Sequence, residues 1–354
     1  MQLPYADIAT PRVHRVDRHF LPRSCPNPHC PSHAGEPFEY RRKGVFSRKV
    51  DLRTVQRFRC KPCGKGFSSQ TFRLDYRLHK PWLPLAVFQG LVAKTTLRQA
   101  ARSLAAKLDT IARHLDRLAL HAEELHALFL ERHRRAGGWS QGAFQLDELE
   151  TFETDRRLFP LTVPILIQRE TRFVVRADTG TLPARGNLRP RDAARRQAYE
   201  ALHGKRQSQS SESVARCLKA LAAQLAKRCL VHLQTDEKTS YRALVRRHLG
   251  ASSDHQWTSS KAVRDRSNLL FPINNVLAQA RDNLSRLVRR SWGHAKRRRR
   301  LQAQLAVWTL YRNYVRERSH YFRRESSAEA AGVARRRVSA RELLAWRGVL
   351  PAGV

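Results

Sequence analysis

Acidic residues are scarce in this chain of 354 residues: 30 Asp and Glu stand against 68 Lys and Arg, a formal charge of +38. So lopsided a balance costs stability by self-repulsion unless a polyanionic partner neutralises it, which leaves a ribosomal-type binder, a nucleic-acid enzyme and a membrane-surface protein open. Long apolar runs are lacking too. No stretch approaches the roughly 20 residues that cross a bilayer. The opening "MQLPYADIATPRVHR" lacks the basic-then-apolar order of a signal peptide. Both absences exclude a membrane helix and a secretory leader from the expectation, which is a soluble intracellular protein. Cysteine is sparse, at six, and four of the six fall in the first 63 residues. In a reducing compartment, thiols so grouped bind metal more readily than they form disulfides. No internal repeat is visible, which excludes a solenoid.

Against these absences, 41% of the residues are hydrophobic, enough for packed cores and too many for a disordered basic chain. The length predicts two or three domains. Nucleic acid is the commonest partner for such charge, because each phosphate met by Lys or Arg releases a counterion.

Composition divides the chain. Residues 20–70 are rich in Pro, Cys, Gly and aromatics. Residues 83–135 read as helix, and "AGGWSQGA" at 136–143 reads as a break. Residues 144–177 read as strands, with "VPILIQ" and "TRFVVRA" forming a hairpin around Arg169–Glu170. The polar stretch 187–210 predicts a loop. Residues 212–228 predict a helix with Val214, Leu218, Leu221 and Leu225 on one face. "CLVHLQTD" at 229–236 predicts a buried strand, and 274–320 a mostly helical, very basic region.

"CPNPHC" and "FRCKPCGKGFS" place Cys25 with Cys30 and Cys60 with Cys63. Two tight cysteine turns supply the four ligands that tetrahedral zinc requires. His29 or His33 is an alternative ligand in the looser first turn. Cys217 and Cys229 read as core residues. A ribbon of this size depends on its metal for stability.

"LRQAARSLAAKLDTIARHLDRL", 97–118, has helix-turn-helix grammar. Leu97, Ala100, Ala101 and Leu104 form one apolar face, and a turn is expected near Ala105–Leu108. Asp109 or Thr110 is the expected cap of a second helix. Ile111, Leu115 and Leu118 then face inward, while Arg113, His114 and Arg117 point toward DNA.

"FQLDELETFE", 144–153, concentrates Asp147, Glu148, Glu150 and Glu153 in this basic chain, with Asp155 just beyond. A second apolar strand, "LVHLQTD", also ends in an acid, Asp236. Adjacent strands that each present an aspartate make a site for a hard divalent cation. The remaining acids read as modulators of Asp147 or as partners of nearby Arg, here Arg156 and Arg157. Trp292, Trp308 and Tyr311 read as packing residues, and Trp257 as buried.

The order of these pieces resembles the bacterial insertion-sequence transposases of the DDE superfamily. The resemblance covers nearly the whole chain, including the tail "SSAEAAGVARRRVSARELLAWR", where Ser327 stands in place of a common Pro. It implies a multidomain protein: a zinc ribbon at 1–75, an all-α helix-turn-helix unit at 76–135, an α/β RNase H-like (retroviral-integrase-type) core at 136–300, and a helical basic tail at 301–354. It further implies two Mg²⁺ ions, or Mn²⁺, and a structural Zn²⁺. The expected partners are double-stranded DNA at inverted repeats and target, and further copies of the chain; the setting is the bacterial nucleoid. Asp147 and Asp236 become the first two catalytic acids, the latter followed by Tyr241. The group carries a Glu near the start of the last core helix, where this sequence has Ile273, Asn274 and Asn275. Asp282 is the first candidate for the third acid and Asp265 the second; loss of the residue is the remaining alternative. Arg286, Arg289, Arg290, Lys296 and Arg297–Arg300 are expected to grip DNA phosphates. A non-catalytic DNA-binding protein derived from a transposase is the competing reading. An RNA-binding protein of translation ranks behind both, because it leaves the paired acids unexplained.

Overall fold

The computed structural model describes residues 20–50, 52–259, 263, 265, 267–288, 292–319 and 324–346. Three strands, β1 (Tyr40–Ser47), β2 (Thr54–Cys60) and β3 (Gly66–Ser68), form an antiparallel sheet in chain order. Its core is small and aromatic. Phe58 stacks on Phe67 with ring centroids 5.5 Å apart and meets Tyr40 edge-on. Cys25, Cys30 and Cys60 are buried beside these rings.

Three helices follow: α1 (Leu83–Val92), α2 (Leu97–Ser103) and α3 (Leu108–Arg135). Thr96 caps α2: its hydroxyl accepts from the Gln99 N–H, and the Gln99 side chain accepts from the Thr96 N–H. Ala105 turns the chain with a φ of 45°. The next helix starts at Leu108 with Lys107 as its capping residue, so Asp109 and Thr110 lie in the first turn rather than at the cap. Its 28 residues span about 42 Å. Ile111, Leu115 and Leu118 pack on α1 and α2, while Ala122, Leu125 and Leu130 enter a different core. One helix therefore belongs to two hydrophobic units.

The larger sheet contains β4 (Trp139–Phe152), β5 (Pro160–Gln168), β6 (Val174–Ala177), β7 (Gly180–Thr181), β8 (Leu225–Asp236) and β9 (Ser253–Thr258). The order is β6-β5-β4-β8-β9, with β7 beside β5. On one side of β4 the neighbours run antiparallel; β8 lies parallel on the other, and β9 lies parallel to β8. The expected break at 136–143 is shorter than the composition predicted, because β4 already begins at Trp139. Gly138 makes that start feasible. Its φ is 65°, and a Cβ there would stand 2.3 Å from the Gln224 carbonyl oxygen.

Alternation along β4 separates two faces. Phe144 and Leu146 join α5 (Ser210–Ala222) and α6 (Thr239–His248) in one core. Leu149, with Val163, Ile165 and Ile167 of β5, joins α7 (Phe271–Asn283) and α8 (Arg298–Leu310) in the other. α8 touches three cores, through Leu305, Val307 and Leu310. The stretch 187–210 contains a helix, α4 (Pro190–His203), where a loop was expected; it buries none of its residues, which is why no apolar stripe announced it. Leu225 lies in β8, beyond the helix whose face it was expected to share. Cys217 is buried on α5, and Cys229 is half-buried on β8. Ser327 is fully buried and its hydroxyl accepts from Arg312, so this position has a polar partner. Among the described residues, no helix is long and apolar enough to cross a membrane.

Candidate functional site

The four N-terminal cysteines converge. Their sulfur atoms lie within 4.8 Å of one another, with Cys25 Sγ 3.5 Å from Cys63 Sγ and Cys30 Sγ 3.7 Å from Cys60 Sγ. Tetrahedral zinc with bonds of about 2.3 Å sets sulfurs about 3.8 Å apart. The donor set therefore fits a zinc ion. Gly64, at a φ of 69°, closes the second turn, and its N–H donates to the Cys60 carbonyl at 3.1 Å. Burial pushes the Cys25 thiol up. Burial also acts on Cys63, but N–H donation from Lys65 and the neighbouring side chains bring it down to about 6. The histidine alternatives are not used. His33 binds the Cys25 carbonyl oxygen at 3.0 Å, and His29 is exposed.

The second site is built by strand register. Phe144 pairs with Leu233 and Gln145 with Gln234 in the parallel β4–β8 ladder. Two residues further along each strand stand Asp147 and Asp236, on the face that Gln145 and Gln234 share. Gln145 Nε2 donates to Gln234 Oε1 at 2.9 Å and to the Leu269 carbonyl at 2.6 Å, and its Oε1 accepts from the Ile273 N–H at 2.9 Å. This buried amide pair clamps the start of α7 onto the two strands just ahead of the acids. Sequence reasoning passed over both glutamines. The signal was present in the matching triplets "QLD" at 145–147 and "QTD" at 234–236.

Asp147 Oδ1 accepts the Glu148 N–H at 2.6 Å, and Asp236 Oδ1 accepts the Lys238 N–H at 3.2 Å. Burial raises the Asp236 carboxyl above its ordinary range and the Glu148 charge adds to this, against the Lys238 N–H and ammonium. A bound cation would supply the missing counter-charge.

Glu148 faces the opposite side of the sheet. Its carboxylate accepts from Thr162 at 3.0 Å, Ser210 at 2.7 Å and Tyr241 at 3.1 Å, and pairs with Lys238. Burial, then the charges of Glu148, Asp236 and Asp147, holds the Tyr241 phenol well above its ordinary value. The other acids pair with arginines, but with distant ones rather than with the neighbouring Arg156 and Arg157. Glu150 pairs with Arg185 at 2.7 Å, Asp155 with Arg195 at 2.9 Å and Glu153 with Arg206 at 2.9 Å. Glu153 also accepts the Arg298 N–H at the start of α8, where a carboxylate suits the helix dipole.

Asp282 is not brought to this pair. α7 leaves Gln145 toward the β5–β6 turn, where Asn275 accepts from Arg172 at 3.2 Å. Asp282 lies about two and a half helical turns beyond Ile273. There it pairs with Lys94 at 3.6 Å, with its side chain 77% exposed. Asp265 is exposed and turned onto Ser267, whose N–H donates to its carboxylate at 2.9 Å. Among the described residues, only the cysteines form a group of three or more metal-ligating side chains with ligand atoms within 4.8 Å.

The expected DNA contacts divide. Arg113 is exposed on α3, and Arg117 is half-buried and donates to the Tyr76 carbonyl at 3.3 Å. His114 does not point outward. It is 5% exposed, and burial together with Arg117 and Arg113 lowers it to about 4. The helix rotates so that His114 shares the Ile111–Leu115–Leu118 face. Arg286 is buried, donating to Gln304 at 2.9 Å, while Arg289 and Arg290 lie outside the described residues. Trp308 is buried as expected. Trp292 is exposed, and so is Trp257, on whose ring Arg242 stacks at 3.7 Å.

No family model matches this chain, and no curated protein does. Two solved structures are similar to parts of it. The Mos1 strand transfer complex is 10% identical and covers 64% of this chain and 74% of that one, at a TM-score of 0.23. A pre-cleavage Mos1 transpososome is 9% identical and covers 64% and 72%, at 0.20.

Proposed function

We propose that this protein is a DNA-binding phosphodiester-cleaving enzyme of the transposase kind. In this reading residues 1–75 form a zinc ribbon, 76–135 a helix-turn-helix unit, 136–300 an RNase H-like core and 301–354 a helical tail. The observation that supports it is the β4–β8 register, which pairs Gln145 with Gln234, so that by strand alternation Asp147 and Asp236, two residues further along, share one sheet face within a chain of net charge +38. The order of units resembles insertion-sequence transposases and supports the same reading.

Asp147 and Asp236 would hold Mg²⁺ or Mn²⁺, which when bound polarises a scissile phosphate and favours the deprotonated attacking hydroxyl. Both carboxylates are aligned by backbone N–H donors one or two residues ahead. Gln145 and Gln234 hold the strands and α7 together behind them. Lys238 and Tyr241, anchored on Glu148, fix the chain as it leaves β8.

Incubating the purified chain with end-labelled DNA and Mg²⁺ or Mn²⁺ tests the proposal. Asp147→Ala and Asp236→Ala are expected to abolish product while DNA affinity stays at the starting level. Asp282→Ala, which removes only an exposed ion pair, is expected to keep cleaving. Cleavage by Asp147→Ala would show the assignment to be wrong. A second reading, DNA binding without cleavage, is favoured by one observation: no third carboxylate joins the aspartate pair among the described residues. Tight binding with no metal-dependent product from the unaltered chain would establish it.

A further inference from the structure

An open cleft of about 1210 Å³ lies between α2 on one side and residues 285–288 and 292–300 on the other. Lys94, Arg98 and Arg102 line one side, and Lys296, Arg297 and Arg300 the other. Among the described residues no Asp or Glu lines it. Lys94 is paired with Asp282, and Arg300 with Asp116. Arg98, Arg102 and Arg297 have no ion pair among the described residues, so their charge is available to a ligand. Trp292, on the same lining, is 94% exposed. An indole left this open in water is an uncovered stacking face. The second wall is fixed to the strand that carries Asp147: His294 packs on Phe152 with ring centroids 4.8 Å apart, and Ala295 pairs with Glu153. Phe152 stands about 17 Å along β4 from Asp147.

We propose that this cleft takes an unpaired stretch of DNA strand, with phosphates held by Arg98, Arg102 and Arg297 and one base stacked on Trp292. The inference rests on the DNA reading above and adds to it a single-stranded contact that shares α2 with the helix-turn-helix. A basic groove with an aromatic platform is the arrangement that binds single strands, since every base has a face to stack. A base inside a duplex is already stacked on its neighbours and has no face to offer Trp292. The cleft adjoins α2 on one side and the end of β4 on the other. A strand parted from its complement near the acids is therefore held on the path from the helix-turn-helix unit to the strand of Asp147.

Fluorescence anisotropy of the full-length chain with labelled oligothymidylate, a duplex of the same length and oligouridylate, across a salt series, tests this. Trp292→Ala is expected to weaken oligothymidylate binding about tenfold and to leave duplex binding unchanged. The triple variant Arg98→Ala, Arg102→Ala, Arg297→Ala is expected to make the plot of log affinity against log salt shallower by about 2 for the single strand. All four side chains are exposed, and an unchanged melting curve checks that the variants fold. Single-strand affinity and slope unaffected by either variant would overturn the cleft. So would an equal loss on the duplex, or tighter binding of oligouridylate than of oligothymidylate. A parent chain that binds no DNA of any form removes the functional reading as well, whereas normal binding with silent variants removes the cleft alone.

Discussion

Glu148 shows how much one residue's direction matters. It adjoins Asp147 in sequence, yet the pleat turns it to the other face of the sheet, where it meets Lys238, Tyr241, Ser210 and Thr162. Replacing it by Gln leaves the Lys238 ammonium without its carboxylate. Removing one partner of a largely buried polar network typically costs about 1–3 kcal/mol. Glu148→Gln is therefore expected to lower stability in urea unfolding by about 2 kcal/mol, and Lys238→Met in the same chain to recover part of it. Equal stability of parent and Glu148→Gln would show that the network contributes nothing. That Glu150, Glu153 and Asp155 meet arginine follows from a chain so rich in Arg, but the partners are Arg185, Arg206 and Arg195 rather than the adjacent Arg156 and Arg157. That Glu148 binds a lysine was not legible, because Lys238 lies 90 residues away and arrives only through sheet pairing.

At the scale of the element, α3 buries His114 and His121 and half-buries His126 rather than displaying them. Burial lowers His114 to about 4, lowers His121, and brings His126 to about 4. Each is neutral in the fold and takes up a proton more readily when unfolded. Their contribution is fully present above about pH 6.5, is lost as pH falls toward 4, and is gone below that. Unfolding midpoints are thus expected to drop steeply from neutrality to about pH 5. His114→Leu is expected to flatten that fall without cost at neutral pH, since the buried His114 Nδ1 has no hydrogen-bond partner to lose. An unchanged acid slope in His114→Leu would rule out this origin. The helix itself was legible from its apolar period. Its start at Leu108 and the angle that buries His114 were not, because both are set by packing on α1 and α2.

Across the whole molecule, the zinc reading makes the ribbon the part expected to depend on something other than its own core. Its cluster of buried residues is small and is completed by the cysteine sulfurs. One zinc per chain is expected by elemental analysis. Chelation, or Cys60→Ser, is expected to open residues 20–70 to proteolysis while the helical circular dichroism of the remainder persists. Retention of the ribbon's protease resistance in a metal-free chain would exclude the structural zinc. The remainder behaves differently because α3 and α8 are each shared between cores. The boundary expected at 300/301 falls within the first turn of α8, a helix whose apolar residues serve the sheet and the helical unit together.

What the sequence determined unaided is whatever contiguous residues encode. Cysteine spacing gave both halves of the four-cysteine cluster, apolar period marked α3, and two apolar strands each ended in an aspartate, Asp147 and Asp236. Only the tertiary structure decided how distant segments face one another. It set Gln145 against Gln234, turned Glu148 away from Asp147, carried Asp282 out to Lys94, buried His114 and opened a basic cleft beside Trp292. Those outcomes depend on which surfaces the chain covers when strands nearly ninety residues apart come into register. Local spacing carries no information about that, because burial is a property of the packed whole.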